Sequence, residues 1–496
     1  MAWTNLPERE GLPVSHERAD CVVLGAGFAG LSAAIRLASE GHEVTIIEQM
    51  ERAGGKAGEV RANGFRFDIG PSVVTLPEVL EGPFRRLGVE PPMQWLPLDP
   101  VARYHFPSGR VLDVHSSVEA TVSQLSREEA YAYRRLLVEA RALYEAAAPV
   151  FVHGPPPTLV SLMGYGLRHG LRARPWLKLP AFLEQHGARG ELRDLFLRFA
   201  TYFGADPYQA PAVLHNIAWV ELGLGVVTLR GGIAALVDAY VELAQSLGVR
   251  FKYGETVSSL VSNPRSAPTV HVTREGGEEH AYQPSRLVST LDRSRTLRLL
   301  QPVRALRDPV PSLSGQVLLL SIRGAQPEVR HHTLSMPPEY QREFQSIRAG
   351  KAPEDPTLYI SVSSKTNPAD APEGFENWFV MANAPAVHGG REPIDEEAYT
   401  ELILSLLEAR GWVQRQDVEL LGVVGPRHLR RLASHGAIYG AAPHSLFSTI
   451  RPPHHVRGES NLRVAGGTVH PGGGIPLAVL SGWQAAGSLI GYAGPQ

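Results

Sequence analysis

Residues 21–48 read CVVLGAGFAGLSAAIRLASEGHEVTIIE. A short apolar run, CVVL, leads into Gly25, Gly27 and Gly30 at the spacing GxGxxG, then into an alanine-rich stretch and a second apolar run that ends at Glu48. The pattern predicts strand, tight turn, helix and second strand. In such a unit the first glycine makes the turn and the second lets a pyrophosphate approach the helix N-terminus. The third allows the helix to pack closely on the strand. Glu48 stands 23 residues after Gly25, where a carboxylate can accept hydrogen bonds from both hydroxyls of an unphosphorylated ribose. The competing reading is a glycine-rich turn in an unrelated parallel sheet.

Working outward, RAGGKAG (Arg52–Gly58) follows at once, and GFRFDIGPS (Gly64–Ser72) comes after it. A plain nicotinamide domain does not require this second glycine group. Gly54 and Gly55 can bring backbone donors toward an adenosine or pyrophosphate, Lys56 adds positive charge, and Gly70 lets the chain pass close to a flat ring. These residues suit a flavin cradle or, alternatively, an ordinary surface loop with a solvated lysine. Near the other end, VAGGTVHPGGGIPLAVLSGWQAAGSLI (Val464–Ile490) repeats the order strand, glycine turn, helix. The helix's free N–H groups could face the same ligand, and the alternative is a packing helix after a flexible loop.

The 496 residues carry 48 Lys plus Arg against 50 Asp plus Glu, a net charge of −2. There is no global positive field to draw in a polyanion, so nucleic acid is disfavoured. The 49 glycines and 40 prolines exceed the usual shares of about 7% and 5%, without a collagen period. The length corresponds to about three domains as a prior. The single cysteine, Cys21, cannot form an intrachain disulfide, and the leader MAWTNLPEREGLPVSHERAD lacks the order of a secretory signal. A reducing, cytoplasmic location is expected.

Other segments set the architecture. Residues 99–114 predict a hairpin around Ser108 and Gly109, residues 126–224 predict helices broken at prolines and glycines, and 231–247 predict an amphipathic helix. Strands are expected within 248–292, at SGQVLLLSIRG, HHTLSM, TLYISVSS and WFVMANAP, and at QDVELLGVVG after a helix over 392–411. Residues 146–167 carry no charged side chain, but Pro155, Pro156 and Pro157 interrupt them, which disfavours a spanning helix. Residues 163–199 hold seven basic side chains (Arg168, Arg172, Arg174, Lys178, Arg189, Arg193 and Arg198) against Glu184, Glu191 and Asp194. Two readings fit: a membrane-surface segment meeting anionic headgroups, or the solvated face of buried helices.

The glycine turn with its acid, GGKAG, GFRFDIGPS and the terminal NLRVAGGTVHPGGGIPLAVLSGWQAAGSL resemble the carotenoid desaturases of the phytoene desaturase family, within the FAD-dependent amine oxidase-like superfamily. YFGADPYQAPA, TLRGGIAALV and NPADAPEGFENWFV also resemble family segments in order, so the similarity spans almost the whole chain. The resemblance implies FAD, a long carotenoid substrate admitted from a membrane surface, and peripheral membrane association. It implies cofactor contacts or support from Gly25, Gly27, Gly30, Glu48, Gly54, Gly55 and Lys56, with Gly466, Gly467 and the turn Gly472, Gly473, Gly474 and Ile475; Gly70 joins them from the cradle reading.

The expected fold is α/β with an α+β insertion: a Rossmann-type FAD-binding domain from residues 18–115, 225–300 and 450–496, interleaved with a helical substrate and membrane-contact region (116–224) and a mixed-sheet substrate-binding domain (301–449). The implied reaction removes hydride from an allylic C–H to flavin, with loss of a vicinal proton. Quinone or oxygen can then accept the electrons. His470 in the terminal turn and Asp206 in YFGADP are the candidate catalytic residues, each with a structural alternative, and His215 and Glu221 rank below them. The pairs His331–His332 and His454–His455 lack a metal-ligand framework and no serine lies in GxSxG, so neither a metal nor hydrolysis is expected. Val469 separates Thr468 from His470, where many phytoene desaturases carry a tighter threonine-histidine-proline order. This departure favours the branch that introduces the 3,4 double bond into hydroxylated carotenoids. Phytoene desaturation is the nearest alternative, followed by isomerase or saturase chemistry and a noncatalytic carotenoid-binding flavoprotein.

Overall fold

The computed structural model describes residues 15–174, 176–300, 309–388 and 394–491. The first part of the leader and the start of the helix expected over 392–411 lie outside the described residues.

The opening unit forms as its pattern predicts: β1 (Ser15–Leu24), α1 (Phe28–Ser39) and β2 (Val44–Ile47). Side chains of β1 alternate between two cores, as the two-residue period of a strand requires. Cys21 and Val23 join the core beneath α1, while Val22 and Leu24 join the one on the opposite face. β2 and strand Arg250–Lys252 extend the sheet on one side of β1, all parallel. On the other side Glu279–Ser289 pairs parallel to β1, and its last residues take Glu459–Val464 as a further parallel neighbour. The first half of Glu279–Ser289 carries an antiparallel extension, Thr269–Arg274 and then Glu255–Val261.

Both chain ends therefore enter one sheet. Helix Ile475–Leu489 lies on α1, and a Cβ added at Gly482 would stand 2.0 Å from the Ala29 carbonyl oxygen. Only a glycine permits that approach.

A second sheet of seven strands runs in the order Val418–Val424, Ser314–Arg323, Phe375–Ala384, Leu358–Ser361, His332–Ser335, Ala102–His105 and Val111–Val114. Its pairs are antiparallel except where His332–Ser335 meets Ala102–His105. The 102–114 hairpin, expected with residues 18–115, thus hydrogen-bonds to the second sheet. Nothing in its local sequence names its partner strand.

Along Ser314–Arg323, Val317 and Leu319 face the helices of 127–222, whereas Leu318, Leu320 and Ile322 face helix Glu396–Ala409. The helical layer opens with α2 (Arg127–Phe151), started by a capping box in which Ser126 and Glu129 satisfy each other's backbone donors. Pro155 to Pro157 interrupt the chain before α3 (Leu159–Ala173), whose N-cap is Thr158. Among the described residues no helix is long and apolar enough to cross a membrane.

Candidate functional site

A cavity of about 980 Å³ opens at the C-terminal ends of the parallel strands and continues between the helical layer and the second sheet. Ligands of open α/β sheets bind at this end of the strands, and the volume is at the upper end of the roughly 300–1,000 Å³ usual for cofactor and small-molecule sites.

Gly25, Gly27, Glu48, Gly54, Gly55, Lys56, Gly70, Gly466, Gly467, Gly473, Gly474, Ile475 and His470 all line this cavity. Residues from both chain ends are brought to one wall, and the glycines divide into two kinds. Gly30 is a packing glycine, since its Cβ would stand 1.9 Å from the Gly25 carbonyl oxygen. At Gly27, by contrast, the nearest atom to an added Cβ is 3.9 Å away, so this glycine leaves open space at the N-terminus of α1, where no side chain caps the helix. Gly472, at φ +139°, lies against the Phe203 ring, and a Cβ at Gly473 would meet the Tyr439 ring at 2.5 Å.

Glu48 is buried. Its Oε2 accepts from Ala26 N at 2.7 Å and its Oε1 from Met50 N at 2.9 Å. The two backbone donors fix the carboxylate and leave each oxygen further accepting capacity. Lys56 Nζ donates to the Ile438 carbonyl at 3.1 Å, tying the second glycine group to the loop that carries Tyr439. Gly70 packs on protein: a Cβ there would meet the Lys56 carbonyl oxygen at 1.9 Å.

The donor set suits a flavin dinucleotide. The open turn at Gly27, the fixed Glu48 acceptor and two uncapped helix N-termini, at Gly27 and Gly474, converge on one space. Arg451 adds unpartnered donors. It is buried in the cavity wall with its guanidinium over the Phe203 ring, and Nη1 donates to the Ala441 carbonyl while Nε and Nη2 lack partners. Burial pushes its pKa down to about 10, which signals a cation held where charge is costly. Neither Arg451 nor Tyr439 carries a motif that would single it out in the sequence.

The two candidate catalytic residues part company. His470 lines the cavity, but its Nε2 donates to the Gly154 carbonyl at 2.9 Å, and burial pushes its pKa below the ordinary histidine value, an effect opposed by that bond. Asp206, a catalytic candidate with a structural alternative, stands apart from His470. It is absent from the cavity lining, its Oδ1 accepts from Tyr208 N at 2.9 Å, and its Oδ2 pairs with Arg348. A turn and an ion pair account for this aspartate.

His215 is also away from the cavity, with Nε2 donating to the Leu136 carbonyl at 2.9 Å. Glu221, ranked with it, does line the cavity, and its Oε1 accepts from Arg198 Nη2 at 2.8 Å. Among the described residues, the one grouping with metal-ligand proximity is Asp20, Cys21 and His42. Burial, then the charge of Asp20, holds the Cys21 thiol up at about 12, and Asp20 already pairs with His42 and Arg286.

The basic run of 163–199 does not form one face. Lys178 and Arg189 donate to backbone carbonyls, Arg193 pairs with Glu184 and Asp194, and Arg198 is buried against Glu221. What remains outside is α3. Leu159, Met163, Leu167 and Leu171, four residues apart, form an exposed apolar stripe, with Leu167 88% and Leu171 85% exposed. Leu162, Tyr165, Gly166 and Ala173 of the same helix line the cavity.

Residues 28–490 match the family model described as flavin containing amine oxidoreductase. The chain is 30% identical to a 1-hydroxycarotenoid 3,4-desaturase of Flavobacterium sp. (strain P99-3), over 93% of this chain and 96% of that protein. It is equally 30% identical to a phytoene dehydrogenase of Streptomyces griseus, over 97% and 96%. Cyclohexylamine oxidase from Brevibacterium oxydans IH-35A superposes with a TM-score of 0.59 at 16% identity, over 95% of this chain and 99% of that one. That last likeness is one of fold.

Proposed function

Because the chain belongs to the flavin containing amine oxidoreductase family and is closely related to carotenoid desaturases, we propose that this FAD-dependent oxidoreductase introduces a C=C bond into a carotenoid, by 3,4-desaturation of a 1-hydroxycarotenoid. The carrying observation is the continuous cavity that joins the glycine turns of both chain ends to a largely apolar chamber. In this reading FAD sits in a discontinuous Rossmann-type unit drawn from residues 18–115, 225–300 and 450–496 without the 102–114 hairpin. Residues 116–224 and 301–449 supply the substrate side.

Glu48 would hold the ribose of the adenosine half, and the N-termini at Gly27 and Gly474 would face the pyrophosphate. Gly25, Gly30, Gly54, Gly55, Lys56, Gly70, Gly466, Gly467, Gly472, Gly473 and Ile475 shape or support that cradle, and Arg451 offers its unpartnered donors to acceptor atoms of the cofactor. When bound, the flavin supplies a two-electron acceptor for hydride, and quinone or oxygen is the proposed onward acceptor. The chain's own work is to align an allylic carbon and exclude water. His470, committed to Gly154, contributes by holding the terminal turn beside the substrate.

The exposed stripe of α3 supports entry of the carotenoid from a membrane surface, with Arg168, Arg172 and Arg174 near anionic headgroups. Anaerobic incubation of the flavin-loaded protein with phytoene and, separately, a 1-hydroxycarotenoid tests the assignment by product mass and absorption spectrum. Loss of two hydrogens from the hydroxylated compound is expected. Turnover of phytoene alone would replace this reading with phytoene desaturation.

A further inference from the structure

The apolar chamber carries a polar patch that a pure hydrocarbon would not need. Arg198, Glu221, Tyr202, Tyr359 and Ser72 line it, among Leu214, Leu334 and Phe379. Arg198 and Glu221 are buried, and their pairing leaves Glu221 Oε2 and Arg198 Nε without hydrogen-bond partners. Replacing a buried ion pair with apolar residues is often neutral or stabilising, so this pair is not explained by stability. Each unsatisfied buried atom adds to the cost of keeping it.

Arg198 Nη1 donates to the Tyr202 hydroxyl. The phenol oxygen is thereby occupied and polarised by a cation, and among the described residues its own proton has no acceptor. Burial opposes the Arg198 charge, but Tyr104, Tyr202 and Glu221 around it hold its pKa well above the ordinary value. The guanidinium therefore stays charged. Nearby, the Tyr359 hydroxyl is 2.7 Å from Ser72 Oγ and 2.7 Å from His332 Nδ1. Burial, then the charges of His331 and Arg198, keeps His332 neutral. Phe203, next to Tyr202 in the turn Phe199–Phe203, rests on Gly472.

Resting on the desaturase reading, we propose that this patch is a hydroxyl receptor. Tyr202, backed by the Arg198–Glu221 pair, donates to a hydroxyl carried by the substrate, and the Ser72–Tyr359 pair accepts a hydrogen bond from that hydroxyl. The subsite distinguishes a hydroxylated carotenoid from the corresponding hydrocarbon, a choice that overall identity to the two kinds of relative leaves undecided. A site built to hydrogen-bond a hydroxyl discriminates against the analogue that lacks it because its own polar groups are then left unpaired.

The test compares one 1-hydroxycarotenoid with the same carotenoid lacking the hydroxyl. Affinity for the flavin-loaded protein in detergent micelles is measured by fluorescence quenching, alongside kcat/KM for each. The native protein should favour the hydroxylated compound on the order of 10- to 100-fold in both readouts. Tyr202→Phe, which removes one oxygen, should cut the preference at least several-fold, and Arg198→Met combined with Glu221→Leu should bring it close to one. Equal affinity for the two compounds in the native protein, or an unchanged ratio in Tyr202→Phe, would overturn the proposal whether or not the double variant folds. A binding preference without turnover of either compound would keep the receptor and remove the desaturase reading. Turnover without preference would do the reverse.

Discussion

Gly482 lies against the Ala29 carbonyl so tightly that a Cβ would approach the oxygen to 2.0 Å. This contact clamps the C-terminal helix to the first helix and so joins the two halves of the proposed cofactor cradle. Gly482→Ala must push the helices apart. It should destabilise the protein by about 1–3 kcal/mol and loosen flavin. Thermal unfolding with and without added FAD checks this: an unaltered midpoint and unaltered flavin content would mean that the helices shift at no cost.

Gly27 and Gly30 should respond in opposite ways to the same methyl group. At Gly30 the Cβ collides with the Gly25 carbonyl, whereas at Gly27 it makes only an ordinary contact, 3.9 Å from the Gly54 carbonyl oxygen. Gly30→Ala is expected to impair folding itself. Gly27→Ala should leave the stability of the cofactor-free protein within about 0.5 kcal/mol of native while flavin occupancy drops, as read from the absorbance ratio after reconstitution. Full occupancy in Gly27→Ala would move the cofactor away from this turn.

The stripe on α3 makes membrane association separable from the rest of the basic segment. Leu167→Asp with Leu171→Asp should abolish flotation with anionic liposomes. Arg193→Gln, which alters a residue already paired with Glu184 and Asp194, should float as the native protein does. Raising salt should weaken the native association as the Debye length shrinks. Flotation of the double aspartate variant would place the contact elsewhere.

Acid should destabilise this fold below the ordinary histidine pKa. Burial holds His215, His331 and His454 down at about 4 from 6.5. The unfolded chain takes up those protons near pH 6.5 and the folded chain only near 4, so stability falls as pH drops through that window, by about 1.4 kcal/mol per pH unit for each histidine. Buried Glu343, raised from 4.5 to about 7, acts in the other sense. It keeps a proton that the unfolded chain loses above 4.5, so its contribution is lost as pH rises from 4.5 to 7. Three histidines outweigh one glutamate. Urea midpoints from pH 7 to pH 4.5 should fall, and His215→Gln should make the slope shallower.

The local spacing of residues 21–48 determined a strand, a turn, a helix and a second strand. The prolines at 155–157 determined the break between two helices, and the apolar runs of 314–384 determined strands. Each of these follows from backbone geometry and side-chain periodicity, which act over a few residues. The family resemblance added the expectation that the two chain ends share one ligand.

Which contacts those residues make was decided only by tertiary structure, because burial and ion pairing act between residues far apart in the chain. Arg198 was one basic residue among seven in a segment read as a single face, and its partner Glu221 lies in another helix. The motif YFGADP leaves Asp206 open to a chemical or a turn role, and the fold pairs its carboxylate with Arg348. Gly70 permits an approach to the Lys56 carbonyl, a neighbour that its own motif does not name. Charge and glycine are visible in a sequence. The low-dielectric surroundings and close approach that give them an energetic role exist only once the chain has packed.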